Sequence, residues 1–179
     1  MTDKTVAELD GEIDRVVKAL APALVDKGWM LCTAESCTGG WMAKVCTDLP
    51  GSSNWFHGGY VCYSYPAKEQ QLGVIQDDLV QHGAVSEEIA SQMALGARRG
   101  SGAGVTVAAT GIAGPGGGLP NKPVGMVCFG WSVSGGRIQT ASEVFQGDRD
   151  QVRRQTVLRG LQGVLDLLQG DGDQPGVPD

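Results

Sequence analysis

Residues 33–40 read Thr-Ala-Glu-Ser-Cys-Thr-Gly-Gly and bring a hydroxyl, a thiol and a glycine pair together at Ser36, Cys37, Gly39 and Gly40. A short apolar run, Trp29 to Cys32, leads into this stretch, and a helical pattern from Trp41 to Cys46 follows it. A strand-to-helix turn of this kind lifts a side chain out of the sheet and aims backbone N–H groups at one point. A nucleophile and the donors that stabilise its oxyanion are presented together in this way. Ser36 is therefore a candidate nucleophile. A plainer role stays open, because Ser36 or Thr38 could simply cap the helix that follows.

A serine nucleophile needs a base, and histidine is scarce. His82 lies in the polar turn Gln81-His82-Gly83, and His57 precedes Gly58-Gly59 with no orienting partner in view. A Ser–His–Asp arrangement is unsupported. Lys68 is the other candidate, close after the apolar run Gly59 to Tyr63. Serine–lysine pairs are a known form of nucleophile activation. Lysine serves as a base near neutral pH only when burial or a neighbouring cation lowers its pKa from about 10.4 to about 7–8. Tyr63 ends the same run, and its phenol could relay a proton or hold the lysine. The plainer alternative is a core tyrosine and a solvated lysine. Cys37 competes with Ser36, since a thiol at a helix N-terminus has a lowered pKa; without a histidine partner it ranks second.

The glycine-rich stretch 111–118, GIAGPGGG, follows the β-rich run Gly104 to Thr110. It does not fit G-x-G-x-x-G between a strand and a helix, and Lys122 is followed by Pro123 rather than by the Ser or Thr of a P-loop. An ATPase or a Rossmann dehydrogenase is a poor reading. A surface loop and a loop whose backbone touches a ligand both remain open.

The elements that must position these groups are legible from periodicity. Leu9, Ile13, Val16, Val17, Leu20, Leu24 and Val25 recur every three or four residues and predict an amphipathic helix over 5–26, stopped by Gly28. Strands are expected at 29–34, 59–63, 104–110 and 124–133, with a hairpin at Gly135-Gly136 leading into a strand over 138–145. Helices are expected at 39–47, from Pro66 past Lys68, from Ser86 to about Arg99, and from Asp148 to Gln169; 76–81 reads as a short turn or helix. Strands thus alternate with helices before one late hairpin. The expected fold is α/β, a three-layer α/β/α sandwich with a mixed, mostly parallel sheet, in one domain over 1–169. Residues 170–179, rich in Gly, Asp and Pro, are expected to form a disordered tail. Ligands in such sheets bind beyond the strand C-terminal ends. If the strands before 36–40 and 111–118 are neighbours, both loops face one pocket.

Composition narrows the partners. A net charge of −6 argues against general nucleic-acid binding, which needs a basic face, but leaves room for a small phosphorylated substrate. No stretch approaches the ~20 apolar residues of a bilayer span, so no membrane partner is expected. The polar start, Met1-Thr2-Asp3-Lys4, sets the expectation of a cytoplasmic protein. The five cysteines at 32, 37, 46, 62 and 128 form no C-x-x-C, so neither disulfides nor a metal site nor any other cofactor is expected. Trp41, Trp55 and Trp131 could serve a homodimer interface or the core.

Taken together and in order, AESCTGG at 34–40, PGSSNWF at 50–56, YSYPAK at 63–68, LGV at 72–74, HGAVSE at 82–87, TGIAGPGGG at 110–118, KPVGMV at 122–127 and GDRDQVR at 147–153 resemble the CinA C-terminal domain family over residues 8–168. The resemblance is greatest to its stand-alone members that act as nicotinamide-nucleotide amidohydrolases. It implies hydrolysis of the carboxamide of nicotinamide mononucleotide to nicotinate mononucleotide and ammonia, in pyridine nucleotide salvage. The family's nucleophilic serine falls on Ser36, and its tyrosine and lysine fall on Tyr63 and Lys68. Where the family usually has Asn after Tyr-Ser, this chain has Tyr65 and then Pro66, which puts the local shape of the pocket wall in question. With that reading, the amides of Cys37 and Thr38 are the expected oxyanion donors. Gly39, Thr110, Gly111 and Gly114 are expected to contact the substrate, and Arg149 to pair with its phosphate or else to remain a surface arginine between Asp148 and Asp150. The competing readings are a non-catalytic nucleotide-binding module of the same fold, a cysteine amidohydrolase built on Cys37, and an interaction protein linked to competence or DNA repair.

Overall fold

The expected stripe Leu9, Ile13, Val16, Val17, Leu20 and Leu24 is the buried face of α1 (Val6–Lys27) in the computed structural model, which describes residues 4–170. Thr5 and Glu8 cap one another at its start, and Gly28 closes it in the left-handed conformation. The chain continues through β1 (Leu31–Glu35), α2 (Trp41–Asp48), a 3₁₀ turn (Ser52–Asn54), β2 (Phe56–Val61), α3 (Tyr65–Leu72), α4 (Gln76–His82), α5 (Glu87–Ser101), β3 (Val105–Gly111), β4 (Met126–Val133), β5 (Ile138–Val144) and α6 (Arg149–Gly170). The segment 171–179 of the expected tail lies outside the described residues, and Gly170 belongs to α6.

The strand order is β2-β1-β3-β4-β5. β1 pairs in parallel with both β2 and β3, and the pairs β3–β4 and β4–β5 are antiparallel, so β4 alone runs against the rest. The sheet is mixed and mostly parallel, as expected. β1 and β3 are neighbours, which brings the loops after them to one edge of the sheet. Apolar residues fill both faces. Leu31, Val105, Val107, Phe129 and Trp131 pack with α1, α2 and α6 on one side, while Cys32, Ala34 and Ala108 pack with α3, α4 and α5 on the other. Trp55 and Trp131 are each 2% exposed and belong to the core; Trp41 is half-buried. No helix among the described residues is long and apolar enough to cross a membrane.

Two strands differ from the sequence expectation in ways that matter for the site. β2 covers Phe56–Val61 rather than 59–63, because its parallel register with β1 begins at Leu31↔Phe56 and ends at Glu35↔Val61. Tyr63 therefore lies beyond the strand, in the connection to α3. β4 begins at Met126 rather than Val124, where the chain turns at Pro123–Gly125 before it meets β5. The placement of α6 depends on a close approach: a Cβ at Gly163 would come within 2.4 Å of the Trp131 ring, whose Nε1–H donates to the Gly160 carbonyl at 2.9 Å. This contact seats the helix that carries Arg149 and Arg153.

Candidate active site

Alternation along β1 sends Cys32 and Ala34 to the α5 layer and Thr33 and Glu35 toward α2. The strand ends there and the chain turns through Ser36–Gly40. Gly39 and Gly40 take φ of +62° and +96°, values that a side chain would strain. The cap of α2 is neither Ser36 nor Thr38. Glu35, fully buried, accepts from the N–H groups of Gly40 (3.0 Å), Met42 (3.0 Å) and Ala43 (2.8 Å) and from the Thr33 hydroxyl (3.0 Å). A carboxylate at a helix start meets the orphan donors and the positive end of the dipole. Glu35→Ala leaves those donors buried without an acceptor and is expected to lower unfolding free energy by about 3 kcal/mol or more. Urea denaturation measures this, and a loss below about 1 kcal/mol would mean that the carboxylate does not hold the turn.

With the helix cap supplied by Glu35, Ser36 is free for other chemistry. Its side chain is 8% exposed, and Lys68 Nζ lies 3.0 Å from its Oγ. Lys68 comes from α3, whose start is fixed by Ser64 accepting from the Ala67 N–H and by Pro66 in the first turn. The lysine is fully buried, and its amine also reaches the carbonyl oxygens of Cys62 (2.9 Å) and Tyr63 (3.3 Å). No carboxylate pairs with it among the described residues. Burial without a counter-charge pushes its pKa below the ordinary 10.5. A neutral amine has two N–H donors and one lone pair. Lys68 Nζ donates to both carbonyls and to Ser36 Oγ; in the neutral form the two carbonyls take its donors and its lone pair is left for the Ser36 O–H. This is the geometry of a nucleophile and its base.

The thiol beside the serine is placed differently from its expectation. A helix N-terminus lowers a thiol pKa only when its N–H groups face the sulfur, and here they face Glu35. Cys37 is 5% exposed, and burial pushes its pKa up to about 12. Burial of this kind disfavours the thiolate and so speaks against Cys37 as the competing nucleophile. Its backbone is another matter. The Ser36 N–H donates to the Ala109 carbonyl at 3.0 Å and the Gly39 N–H to the Ser36 carbonyl at 3.1 Å. Neither the Cys37 nor the Thr38 N–H has a hydrogen-bond acceptor among the described residues, and Thr38 is fully buried.

Around this centre the structure gathers most of the expected residues. Arg149, at the start of α6, donates from Nη1 to the Gly114 carbonyl (2.8 Å) and from Nη2 to the Tyr63 phenol oxygen (3.3 Å). It thus ties the glycine loop after β3 to the segment that carries the Tyr63 carbonyl to Lys68. The Tyr63 side chain is 61% exposed, and its hold on the lysine runs through the main chain rather than the phenol. Thr110 and Gly111 end β3. The Thr110 hydroxyl is buried and donates to the Ala84 carbonyl at 2.8 Å. Ala84 in turn donates its N–H to the Tyr65 phenol oxygen at 3.2 Å, so the residue that departs from the family pattern pins this wall in place. His57 is exposed on edge strand β2, and His82 ends α4; neither bonds to Ser36.

Sequence reading missed two residues of this site. Glu35 stood inside the quoted motif with no role assigned; a carboxylate one residue before a Ser-x-x-Gly-Gly turn was the available signal. Arg153 stood in the GDRDQVR segment with no role. It donates from Nε to the Cys37 carbonyl (3.1 Å) and from Nη2 to the Thr38 carbonyl (2.8 Å), and its guanidinium lies 5.0 Å from the Trp41 ring centre. Nothing local in the sequence could pair positions so far apart.

Comparison with known proteins places the chain in a family. The family model described as CinA C-terminal domain matches residues 13–168. A protein named nicotinamide-nucleotide amidohydrolase PncC from Enterobacter agglomerans is 48% identical over 165 residues, covering 92% of this chain and 96% of that one. The protein of the same name from Escherichia coli K12 is 47% identical over 162 residues, covering 90% and 94%. Among solved structures, the competence/damage inducible protein CihA from Agrobacterium tumefaciens superposes with a TM-score of 0.85 at 38% identity, covering 88% of this chain and 96% of that one. The chain belongs to the CinA C-terminal domain family.

Proposed function

We propose that this chain hydrolyses the carboxamide of nicotinamide mononucleotide, giving nicotinate mononucleotide and ammonia, by a serine–lysine mechanism. The observation that carries the reading is the 3.0 Å approach of Lys68 Nζ to Ser36 Oγ, with both residues buried and no carboxylate paired with the lysine among the described residues. The names of relatives at 47–48% identity support the substrate. Ser36 Oγ attacks the carboxamide carbon as Lys68 takes its proton. The oxyanion of the tetrahedral intermediate accepts from the N–H groups of Cys37 and Thr38. Lys68 then returns the proton to the departing nitrogen, the C–N bond breaks, and ammonia leaves an ester on Ser36. Water attacks this ester with Lys68 again taking a proton, and the acid leaves as Ser36 Oγ is reprotonated. Gly39, Gly111 and Gly114 contact the nucleotide, the buried Thr110 holds the wall behind them through the Ala84 carbonyl, and Arg149, with guanidinium donors to spare beyond its two bonds, pairs with the phosphate. Tyr63 stands at the mouth beside it. No step asks for a metal or a cofactor. The partner is a small nucleotide in pyridine nucleotide salvage rather than a nucleic acid or a membrane.

Ammonia release from nicotinamide mononucleotide, with nicotinamide riboside and nicotinamide as controls, tests the reading. Turnover of the phosphorylated substrate and little turnover of the other two is the expected result. Tight binding of the mononucleotide without ammonia would point to a non-catalytic binding module.

A further inference from the structure

An oxyanion site made of backbone N–H groups has to be aimed, and backbone amides rotate unless something holds them. The peptide unit is planar and trans, so its N–H points opposite to its C=O. Holding the carbonyl of residue i therefore sets the direction of the N–H of residue i+1. In the turn after β1, the Gly39 N–H holds the Ser36 carbonyl at 3.1 Å and so sets the direction of the Cys37 N–H. The Cys37 carbonyl, which sets the direction of the Thr38 N–H, is held from outside the turn by Arg153 Nε at 3.1 Å. The same guanidinium holds the Thr38 carbonyl at 2.8 Å.

We propose that Arg153 is a positioning residue for the oxyanion site: by gripping the Cys37 carbonyl from α6, it fixes the direction of the Thr38 N–H, a donor with no acceptor among the described residues in a residue otherwise fully buried, as a partner for the reacting oxygen. The inference rests on the serine–lysine reading of the site. Arg153 is suited to the task because its planar fork takes two carbonyls at once, whereas a lysine offers a single point charge. A cation on a carbonyl oxygen also polarises the amide and strengthens the N–H on its far side. The Trp41 ring, 5.0 Å from the guanidinium, and the seating of α6 against Trp131 keep the fork in place.

The test uses two readouts on the wild type, Arg153→Met and Arg153→Lys. The first is the rate at which an alkyl fluorophosphonate labels Ser36, followed by intact mass. In that step the Ser36 Oγ–P bond forms, the P–F bond breaks, fluoride leaves and Lys68 takes the serine proton, while the phosphoryl oxygen occupies the oxyanion site. The second is kcat and KM for nicotinamide mononucleotide. Arg153→Met is expected to slow labelling and kcat alike by about 10–100-fold, with KM within about twofold, since removing a whole oxyanion donor costs ~10²–10³-fold. Arg153→Lys should fall between. Labelling of Arg153→Met at the wild-type rate would overturn the proposal. A raised KM with unchanged kcat would overturn it too, by assigning Arg153 to the substrate instead. If Arg153→Met does not fold, Arg153→Lys with an unaltered melting temperature is judged by the same criteria. A wild type that labels at Ser36 but releases no ammonia would sink the proposed substrate, and the labelling rates would still decide the role of Arg153. A wild type that does not label at all would sink both.

Discussion

Ser36→Ala is expected to lower turnover of nicotinamide mononucleotide by about 10⁴–10⁶-fold, while Cys37→Ala stays within about threefold of the wild type. The contrast follows from what surrounds the two side chains. Ser36 Oγ sits 3.0 Å from a buried amine that can take its proton. The Cys37 thiol has been pushed up to about 12 by burial and so carries almost no thiolate at neutral pH. Truncating Cys37 removes a sulfur from the core but leaves its backbone N–H, the part of the residue that the proposed oxyanion site uses. Its cost falls on stability, at about 1 kcal/mol for a small cavity, rather than on chemistry. Steady-state ammonia release from the two variants separates the alternatives. A dead Cys37→Ala beside an active Ser36→Ala would reverse the assignment of the nucleophile.

Lys68→Met is expected to cost about 10³–10⁴-fold in kcat/KM, near the upper end of what a general base contributes. Lys68→Arg should not restore it, because a guanidinium stays protonated. The wild-type pH profile carries the same information. Lys68 must be neutral to accept the serine proton, so kcat/KM rises with pH through the lysine's own pKa and then levels. Burial lowers that pKa from 10.5, which moves the rise below the range of a solvated lysine. A limb at or above 10.5 would show that the amine is not the base. Stability has a definite sign as well. Between the lowered folded value and 10.5 the unfolded chain binds the proton and the folded one does not, so unfolding free energy increases with pH across that window. Below the folded value the penalty for burying the charge is constant. Lys68→Met removes the slope, and urea denaturation across the window measures it.

Much of this molecule is written locally. The three- and four-residue spacing of Leu9, Ile13, Val16 and Val17 fixes which face of α1 is buried whatever lies opposite. The Gly39-Gly40 pair permits a left-handed turn that other residues would strain to adopt. The order of strands and helices, and with it the layered sheet, follows from elements of this kind. The serine, the lysine and the glycine loop could be named because each carries its chemistry in its own side chain or backbone. Strand ends were less legible, since the reach of β2 is decided by its partner: pairing with β1 stops at Glu35↔Val61 and leaves Tyr63 outside.

What the sequence determined by itself was the inventory of groups and the helix and strand periods that carry them. Tertiary structure decided what each group is for. Burial without a paired carboxylate lowers the pKa of Lys68 and raises that of Cys37, because the cost of a charge depends on everything packed around it. Glu35 became the cap of α2 and Arg153 the grip on the nucleophile turn through contacts that span up to 116 positions of chain, a distance over which no local pattern operates.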